Sequence, residues 1–239
     1  MIPYSTQDIT DDDVKAVIET LKSDLITQGP KNIEFENLMK ERCNVKFAFS
    51  TNSASSALHL ACLSLNLSKN DLVWTTPISF AATTNCAIHC GAKIDFVDID
   101  LVTYNISVSS LEEKLIEAKK NDCLPKIVII VHLAGQPSDL KEIYNLSIKY
   151  NFKIIEDASH AVGSKYKSSI IGDCKYSDIT VFSFHPVKIM TTAEGGMILT
   201  KNEELAKKAC LHSAHVHIMY MHIHTYIFTL AHLYLHRKS

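Results

Sequence analysis

The chain has 239 residues, 46% of them hydrophobic and 21% charged, with a formal net charge of -2 at pH 7. That supplies one sizeable core and excludes general disorder, while the near-neutral balance excludes a broad basic surface and with it nucleic acid as an expected partner. Seven cysteines are scattered without a CxxC, no 18-residue apolar span occurs, and the opening Met1-Ile-Pro-Tyr-Ser-Thr lacks a basic region followed by an apolar run, so a reducing cytoplasmic location, no membrane and no metal are expected.

Asp11 to Leu25 reads as a helix, with three aspartates in its first turn, where carboxylates meet free N–H groups, and Val14, Val17, Ile18 and Leu21 as an apolar stripe. Thr27-Gln-Gly-Pro30 breaks it. Asn32 is placed as the cap of a second helix, Ile33 to Arg42, with Phe35, Leu38 and Met39 turned inward. Val45 to Ser50 is a short strand, followed by Thr51-Asn-Ser-Ala-Ser-Ser56 and an apolar helix from Ala57 to Leu63. Small hydroxyl residues at such a junction read equally as a helix cap or as a cradle for an anion, because both use the free N–H groups of a first turn.

Asp71 to Thr75 is the next strand, stopped by Pro77. A helix from Ser79 to Gly91 opens on Phe80, read either as a core aromatic or as a lid over a planar ligand. Cys86 and Cys90 stand four apart in it, share a face and read as packing residues. The strand in Gly91 to Asp100 ends on Asp98 and Asp100, read as loop architecture. Leu111 to Lys119 is an amphipathic helix with Ser109 or Ser110 as its cap and Glu112 and Glu113 in its first turn.

Lys126-Ile-Val-Ile-Ile-Val-His132 is a β-branched run of the kind buried on both faces of a parallel sheet. His132 stands at its carboxyl end, where such sheets bind ligands, and reads either as a hydrogen-bonded loop histidine or as a site residue. After a helix from Asp139 to Tyr150, the strand Phe152 to Asp157 ends on an aspartate that suits a turn or a ligand. Gly163 to Asp173 is a hairpin-like excursion. The strand Ile179 to Phe182 then leads through Ser183-Phe-His-Pro-Val-Lys188 and Thr191, Thr192, Glu194, Gly195 and Gly196 to a last strand, Met197 to Leu199. Lys188 is either a surface-loop lysine or an amine held between buried strands, where desolvation favours the neutral, nucleophilic form. The alternation of strands and helices makes one α/β domain.

The stretch Phe182 to Lys188, with Thr191, Thr192, Glu194 and Gly195, resembles the cofactor-lysine segment of the pyridoxal-phosphate-dependent sugar aminotransferases of the DegT/DnrJ/EryC1/StrS type. Asn52 to His59, Thr76 to Asn85, Val131 to Asp139 and Glu156 to His160 resemble further segments of that family in the same order, and the resemblance covers about Pro3 to Lys208. Pro3-Tyr4, the Ser23 region, Gly29-Pro30 and Phe35-Glu36 resemble its N-terminal arm and first helices, an arm that packs against the active site. Ala54, Ser55 and Ser56 stand where Gly-Thr-Ala is commonest.

The resemblance implies the large domain of fold type I (aspartate aminotransferase-like), a mostly parallel sheet that binds pyridoxal 5'-phosphate. It implies Lys188 as the catalytic lysine that carries the cofactor. Ser55 and Ser56 are then its phosphate loop, Phe80 stacks on the ring, Asp157 pairs with the ring nitrogen, His160 flanks the ring and Ser183 adds a phosphate contact. A homodimer is implied for the intact enzyme. The wording of Asn52 to His59 and Asp178 to Gly196 is nearest to the branch serving pseudaminic acid biosynthesis. That branch implies transfer of an amino group from L-glutamate to C4 of a UDP-linked 4-keto-6-deoxy-N-acetylhexosamine. A related sugar dehydratase carries histidine in place of the lysine, and Lys188 counts against it.

Residues 1–209 are therefore expected to form the arm and the large domain. Residues 210–239 are read as an aberrant tail rather than a domain: seven of the twelve histidines lie from His212 onward, and no acidic residue follows Glu204. His215 and His217, or His222 and His224, alternate as metal ligands on a strand would, but no single period holds through the tail. The residue types share codons built from CA and TA repeats, so a frameshifted ending is the favoured reading. The chain as given is then expected to be a C-terminally truncated, inactive form that lacks the family's small C-terminal domain.

Overall fold

The computed structural model describes residues 5–212. Its strands are β1 (Phe47–Thr51), β2 (Leu72–Thr75), β3 (Lys93–Phe96), β4 (Ile127–Val131), β5 (Lys153–Asp157), β6 (Lys165–Tyr166), β7 (Ser169–Ile170), β8 (Ile179–Ser183) and β9 (Gly196–Thr200). Its helices are α1 (Asp11–Leu21), α2 (Pro30–Cys43), α3 (Ala54–Ser64), α4 (Ala82–His89), α5 (Val108–Lys120) and α6 (Leu140–Tyr150), with a further helix over 203–212. Seven strands form one sheet in the order β1-β9-β8-β5-β4-β2-β3, and β6 and β7 make the expected hairpin. The pairs β2/β3, β2/β4, β4/β5 and β5/β8 are parallel, while β9 is antiparallel to both β8 and β1. Six strands therefore point one way, and their carboxyl ends share one edge.

The strand period of two divides the core between the sheet's faces. On β4, Val128 and Ile130 enter one apolar cluster and Ile127 and Ile129 the other; Ile154 and Ile155 of β5 divide in the same way. Helices α5 and α6 cover the first face through Leu111, Leu115, Leu140 and Ile143. Helix α3, helix α4 and the helix over 203–212 cover the second through Leu58, Leu60, Cys86, Leu205 and Ala209. All five residues of β4, β8 and β9 are buried, as a strand between covered faces requires.

Several local expectations are corrected. Helix α1 starts at Asp11 behind a capping box, in which the Asp13 N–H donates to Thr10 Oγ1 (3.4 Å) and the Thr10 N–H to Asp13 Oδ2 (2.8 Å). It ends at Leu21, and its stripe has no cover among the described residues: none of its residues is buried. Helix α2 begins at Pro30 behind Gly29, earlier than the Asn32 cap, because proline is pre-set for a first helical position. Met39 is buried and Phe35 meets the Phe184 ring edge-on at 5.1 Å, but Leu38 faces out. Ser107, not Ser109 or Ser110, caps α5 by accepting the Ser110 N–H (3.2 Å), so the helix starts sooner and leaves Glu112 and Glu113 beyond its first turn. Asp100 Oδ1 accepts from the Val102 and Thr103 N–H groups, the loop role expected of it.

Among the described residues no helix is long and apolar enough to cross a membrane. The helix over 203–212 runs through the 209/210 boundary, and the tail reading lies, from residue 213 on, outside the described residues. The Pro3-Tyr4 part of the arm also lies outside them.

Candidate active site

At the edge where six strands end, β1 passes into α3 through Asn52 and Ser53. Ser53 caps the helix: its Oγ accepts the Ser56 N–H (3.2 Å) and lies 3.1 Å from the Ser56 hydroxyl. A helix start leaves N–H groups without intrahelical partners and carries partial positive charge. Gly196 on β9 lets this start lie against the sheet, since a Cβ there would sit 2.4 Å from the Ser53 carbonyl carbon and 2.5 Å from the Ala54 nitrogen. Of the two readings of the Thr51 to Ser56 run, the cap is seen at Ser53, and Ser53, Ala54 and Ser55 line a cavity.

At the end of β5, Asp157 is buried. Its Oδ2 accepts the Thr83 hydroxyl (2.7 Å) and its Oδ1 accepts the Ser159 hydroxyl (2.6 Å) and N–H (3.2 Å). Thr83 lies in the first turn of α4, so two segments fix the carboxylate. After β8, the turn that carries Lys188 is closed by the Phe184 N–H donating to the Gly195 carbonyl (2.9 Å) and the Thr192 N–H to the Phe184 carbonyl (3.0 Å). Gln7 Nε2 donates to the Pro186 carbonyl (2.9 Å), which brings the chain's first described segment onto this turn. Burial lowers the Lys188 pKa, and the Asp157 carboxylate opposes that fall. Burial and then the Lys188 charge hold the His160 imidazole below its ordinary value, against Asp157. His160 Nδ1 accepts the Ala134 N–H (3.3 Å).

These groups open on one cavity of about 560 Å³. Ser55, Phe80, Asp157, His160, Ser183 and Lys188 all line it. Ser56 does not; its N–H and hydroxyl are turned to Ser53. Phe80 is 74% exposed, so it is no core residue, and it stands at the cavity's rim. Sequence reasoning missed Thr83 and Ser159 as the partners of Asp157. A hydroxyl two residues after an aspartate is a known turn signal, whereas Thr83 is brought in by the fold alone.

His132 keeps the bland role. It is 0% exposed, and its Nδ1 accepts the Ser138 N–H (3.2 Å), so its own N–H is at Nε2 and donates to Glu156 Oε2 (2.8 Å). Glu156 also accepts from the Ser177 hydroxyl and from the Thr180 hydroxyl (2.9 Å). Burial raises the Glu156 pKa, but these partners outweigh it and hold the carboxyl below its usual range. Neighbours on β5 thus serve opposite faces, Asp157 the cavity and Glu156 a polar knot behind it.

The family model described as the DegT/DnrJ/EryC1/StrS aminotransferase family matches residues 7–224. The chain is 46% identical, over 84% of its length and 50% of the other's, to Uncharacterized protein MJ1066 of Methanocaldococcus jannaschii. It is 42% identical, over 90% of its length and 55% of the other's, to a UDP-4-amino-4,6-dideoxy-N-acetyl-beta-L-altrosamine transaminase of Campylobacter jejuni. Among solved structures, Helicobacter pylori PseC, described as an aminotransferase involved in the biosynthesis of pseudoaminic acid, superposes with a TM-score of 0.79 at 35% identity, covering 87% of this chain and 54% of that one. The PLP-form of the putative sugar aminotransferase Spr1654 from Streptococcus pneumoniae gives 0.78 at 30% identity, covering 88% and 57%. The chain spans about half the length of the curated relatives it matches.

Proposed function

The chain belongs to the DegT/DnrJ/EryC1/StrS aminotransferase family, and on that premise we propose that it is a sugar aminotransferase that moves the amino group of L-glutamate to C4 of a UDP-linked 4-keto-6-deoxy-N-acetylhexosamine. Its described residues have the fold of the large domain of fold-type-I pyridoxal-phosphate enzymes. The cofactor is pyridoxal 5'-phosphate, the group or amine form carried by solved relatives. The cavity's donor set fits it: a half-buried amine, a buried carboxylate, an aromatic cover and a helix start border one space of about 560 Å³.

The observation that carries the proposal is Lys188, an amine with a lowered pKa opening on the same cavity as the doubly held Asp157. When bound, the cofactor supplies an electron sink for charge on a carbon attached to its amine. Lys188 Nζ would hold the group through its aldehyde carbon, and its free amine would serve as the base and acid that moves a proton between carbons. Asp157 holds the proton on the ring nitrogen, and Thr83 and Ser159 keep its oxygens in place. Phe80 covers the ring and excludes water. Ser55 and the start of α3 receive the phosphate, Ser183 adds a hydroxyl, and Ser56 supports the loop through Ser53. His160 flanks the ring.

The UDP-sugar assignment rests on the Campylobacter relatives, 42% and 43% identical, whose names carry the 4-amino-4,6-dideoxy sugar, and the glutamate donor on a Shewanella sediminis relative, 36% identical, named a UDP-4-amino-4-deoxy-L-arabinose--oxoglutarate aminotransferase. A homodimer belongs to the same proposal. The full chain, incubated with pyridoxal 5'-phosphate, reduced with borohydride and digested, should carry the label on Lys188 by mass spectrometry. Label on another lysine overturns the assignment. Glutamate added to an unreduced, undigested portion of the same preparation should yield 2-oxoglutarate. A second reading, cofactor binding without turnover, rests on the half-length coverage of the relatives; labelled Lys188 without 2-oxoglutarate would decide for it.

A further inference from the structure

Between β4 and α6 the chain makes a tight turn over Leu133 to Gln136, and Leu133 lines the cavity. Two successive residues of the turn are left-handed, Ala134 at φ 52° and Gly135 at φ 84°. A residue with a Cβ rarely rests in that region, so the surroundings must hold it there. Two side chains do so from different segments. Asn105, buried in the loop after β3, takes both ends of the turn: its Oδ1 accepts the Leu133 N–H (3.0 Å) and its Nδ2 donates to the Gln136 carbonyl (2.9 Å). Its own carbonyl accepts the Asp100 N–H (2.8 Å), which fixes it in the loop. Ser164, before β6, donates its hydroxyl to the Gly135 carbonyl (2.8 Å). The absence of a side chain at Gly135 permits this approach, since a Cβ there would stand 2.7 Å from the His160 carbonyl oxygen.

Held this way, the turn sets the Ala134 N–H on His160 Nδ1 (3.3 Å). A neutral imidazole has one N–H and one bare nitrogen, and a backbone amide can only donate, so Nδ1 is the bare nitrogen and the proton belongs at Nε2. That leaves the Nε2–H for the cavity, which His160 lines. A second proton, on Nδ1, would set one N–H against another. Burial and the Lys188 charge also oppose the cation, while Asp157 favours it. The other ionisable residues that line the cavity are His132, His185 and Glu194.

We propose that Asn105 and Ser164 are positioning residues for the cavity: by clamping the Leu133–Gln136 turn they keep the Ala134 N–H on His160 Nδ1 and so fix His160 as the neutral tautomer with its proton on Nε2. The clamp decides what this part of the wall can recognise. With the proton on Nε2 the ring donates to an acceptor oxygen of a ligand; the opposite tautomer would present a lone pair and take a hydroxyl or an ammonium instead. The tautomer is a property of the chain without cofactor, and only its use, as a neutral donor to the bound group, rests on the function proposed above.

The test uses the full chain without cofactor, carrying isotope-labelled histidine and read by long-range proton–nitrogen NMR, with His160→Gln to assign the His160 signals. At neutral pH the parent His160 should show a protonated Nε2 and a bare Nδ1. Asn105→Ala and, separately, Ser164→Ala should let the ring sample both tautomers and raise its proton affinity about two- to tenfold, as loss of a hydrogen bond to the neutral form requires. His132, held by the Ser138 N–H and Glu156, should keep its signals and so report that the fold stands. If Asn105→Ala does not fold, Ser164→Ala decides alone. A parent His160 that is charged at neutral pH or carries its proton on Nδ1 overturns the proposal, and so does a folded variant whose His160 signals and titration match the parent's. Because no cofactor is present, failure of the Lys188 assignment would leave these spectra as they are.

Discussion

Replacing Gly196 with alanine tests how closely the sheet and the phosphate-binding turn are joined. The added Cβ would stand 2.4 Å from the Ser53 carbonyl carbon and 2.5 Å from both the Ser53 oxygen and the Ala54 nitrogen. All three are backbone atoms, so no side chain can swing away. Carbon contacts settle at ~3.5–4.0 Å, and the start of α3 must retreat by about 1 Å. Overpacking of this kind costs ~1–3 kcal/mol, offset by ~0.4–1 kcal/mol because alanine restricts the unfolded chain more than glycine. The net loss is about 1.3 kcal/mol, or roughly 3–5 °C in melting temperature for a domain of this size. Trp74, the only tryptophan in the chain and 1% exposed, reports unfolding by fluorescence. Because the atoms displaced belong to the turn proposed to take the phosphate, pyridoxal 5'-phosphate should bind about tenfold more weakly, a loss of ~1.4 kcal/mol. A melting temperature within 1 °C of the parent, with unchanged cofactor affinity, would refute the reasoning.

Three further substitutions probe the groups around and behind the cavity. Asp157→Asn removes the charge that raises the Lys188 pKa, so the pH profile for cofactor attachment should shift to lower pH and turnover should fall by several powers of ten; a profile that stays in place or moves up counts against it. Thr83→Val keeps the shape but takes a donor from a buried carboxylate, and urea denaturation should show a loss of ~1–3 kcal/mol; full stability would mean that this bond contributes nothing net. Glu156→Gln should cost a similar ~1–3 kcal/mol at pH 7. Because folding lowers the Glu156 pKa from 4.5, its contribution is present above that value and lost as pH falls below it, so the gap from the parent should narrow on acidification; a constant gap would show that the carboxylate's charge is not what stabilises the knot.

The central strands and most of the cavity could be read from residue pattern, for a physical reason. The run at Ile127–Val131 has nowhere to go but between two covered faces, and polar residues at the carboxyl ends of such strands fall on one edge. The failures came where the deciding contact is distant or outside the described residues. Val14, Val17, Ile18 and Leu21 were correctly seen as a stripe, but periodicity says only that a face seeks cover, not what supplies it. Thr83 reaches Asp157 across a separation of 74 residues, and nothing local marks it. The Cys62 and Cys86 contact was equally hidden, since spacing within one helix is silent about the next. Caps were misplaced by a few residues because several adjacent serines, or a nearby proline, can each begin a helix.

The pairing of β1 with β9 has a consequence for how the protein is made. β1 is an edge strand whose sheet neighbour is β9, with Thr51 opposite Gly196. A ribosome adding ~5–20 residues per second completes β9 roughly 7–30 s after β1. During that interval the exposed edge of β1 waits without its ladder, open to pairing with another nascent chain. The turn between β1 and α3 gains its support from Gly196 only when β9 arrives, so the binding cavity is among the last parts of the described chain to close. Conditions that slow translation between residues 51 and 196 should therefore lower soluble yield more than the same delay placed before Phe47.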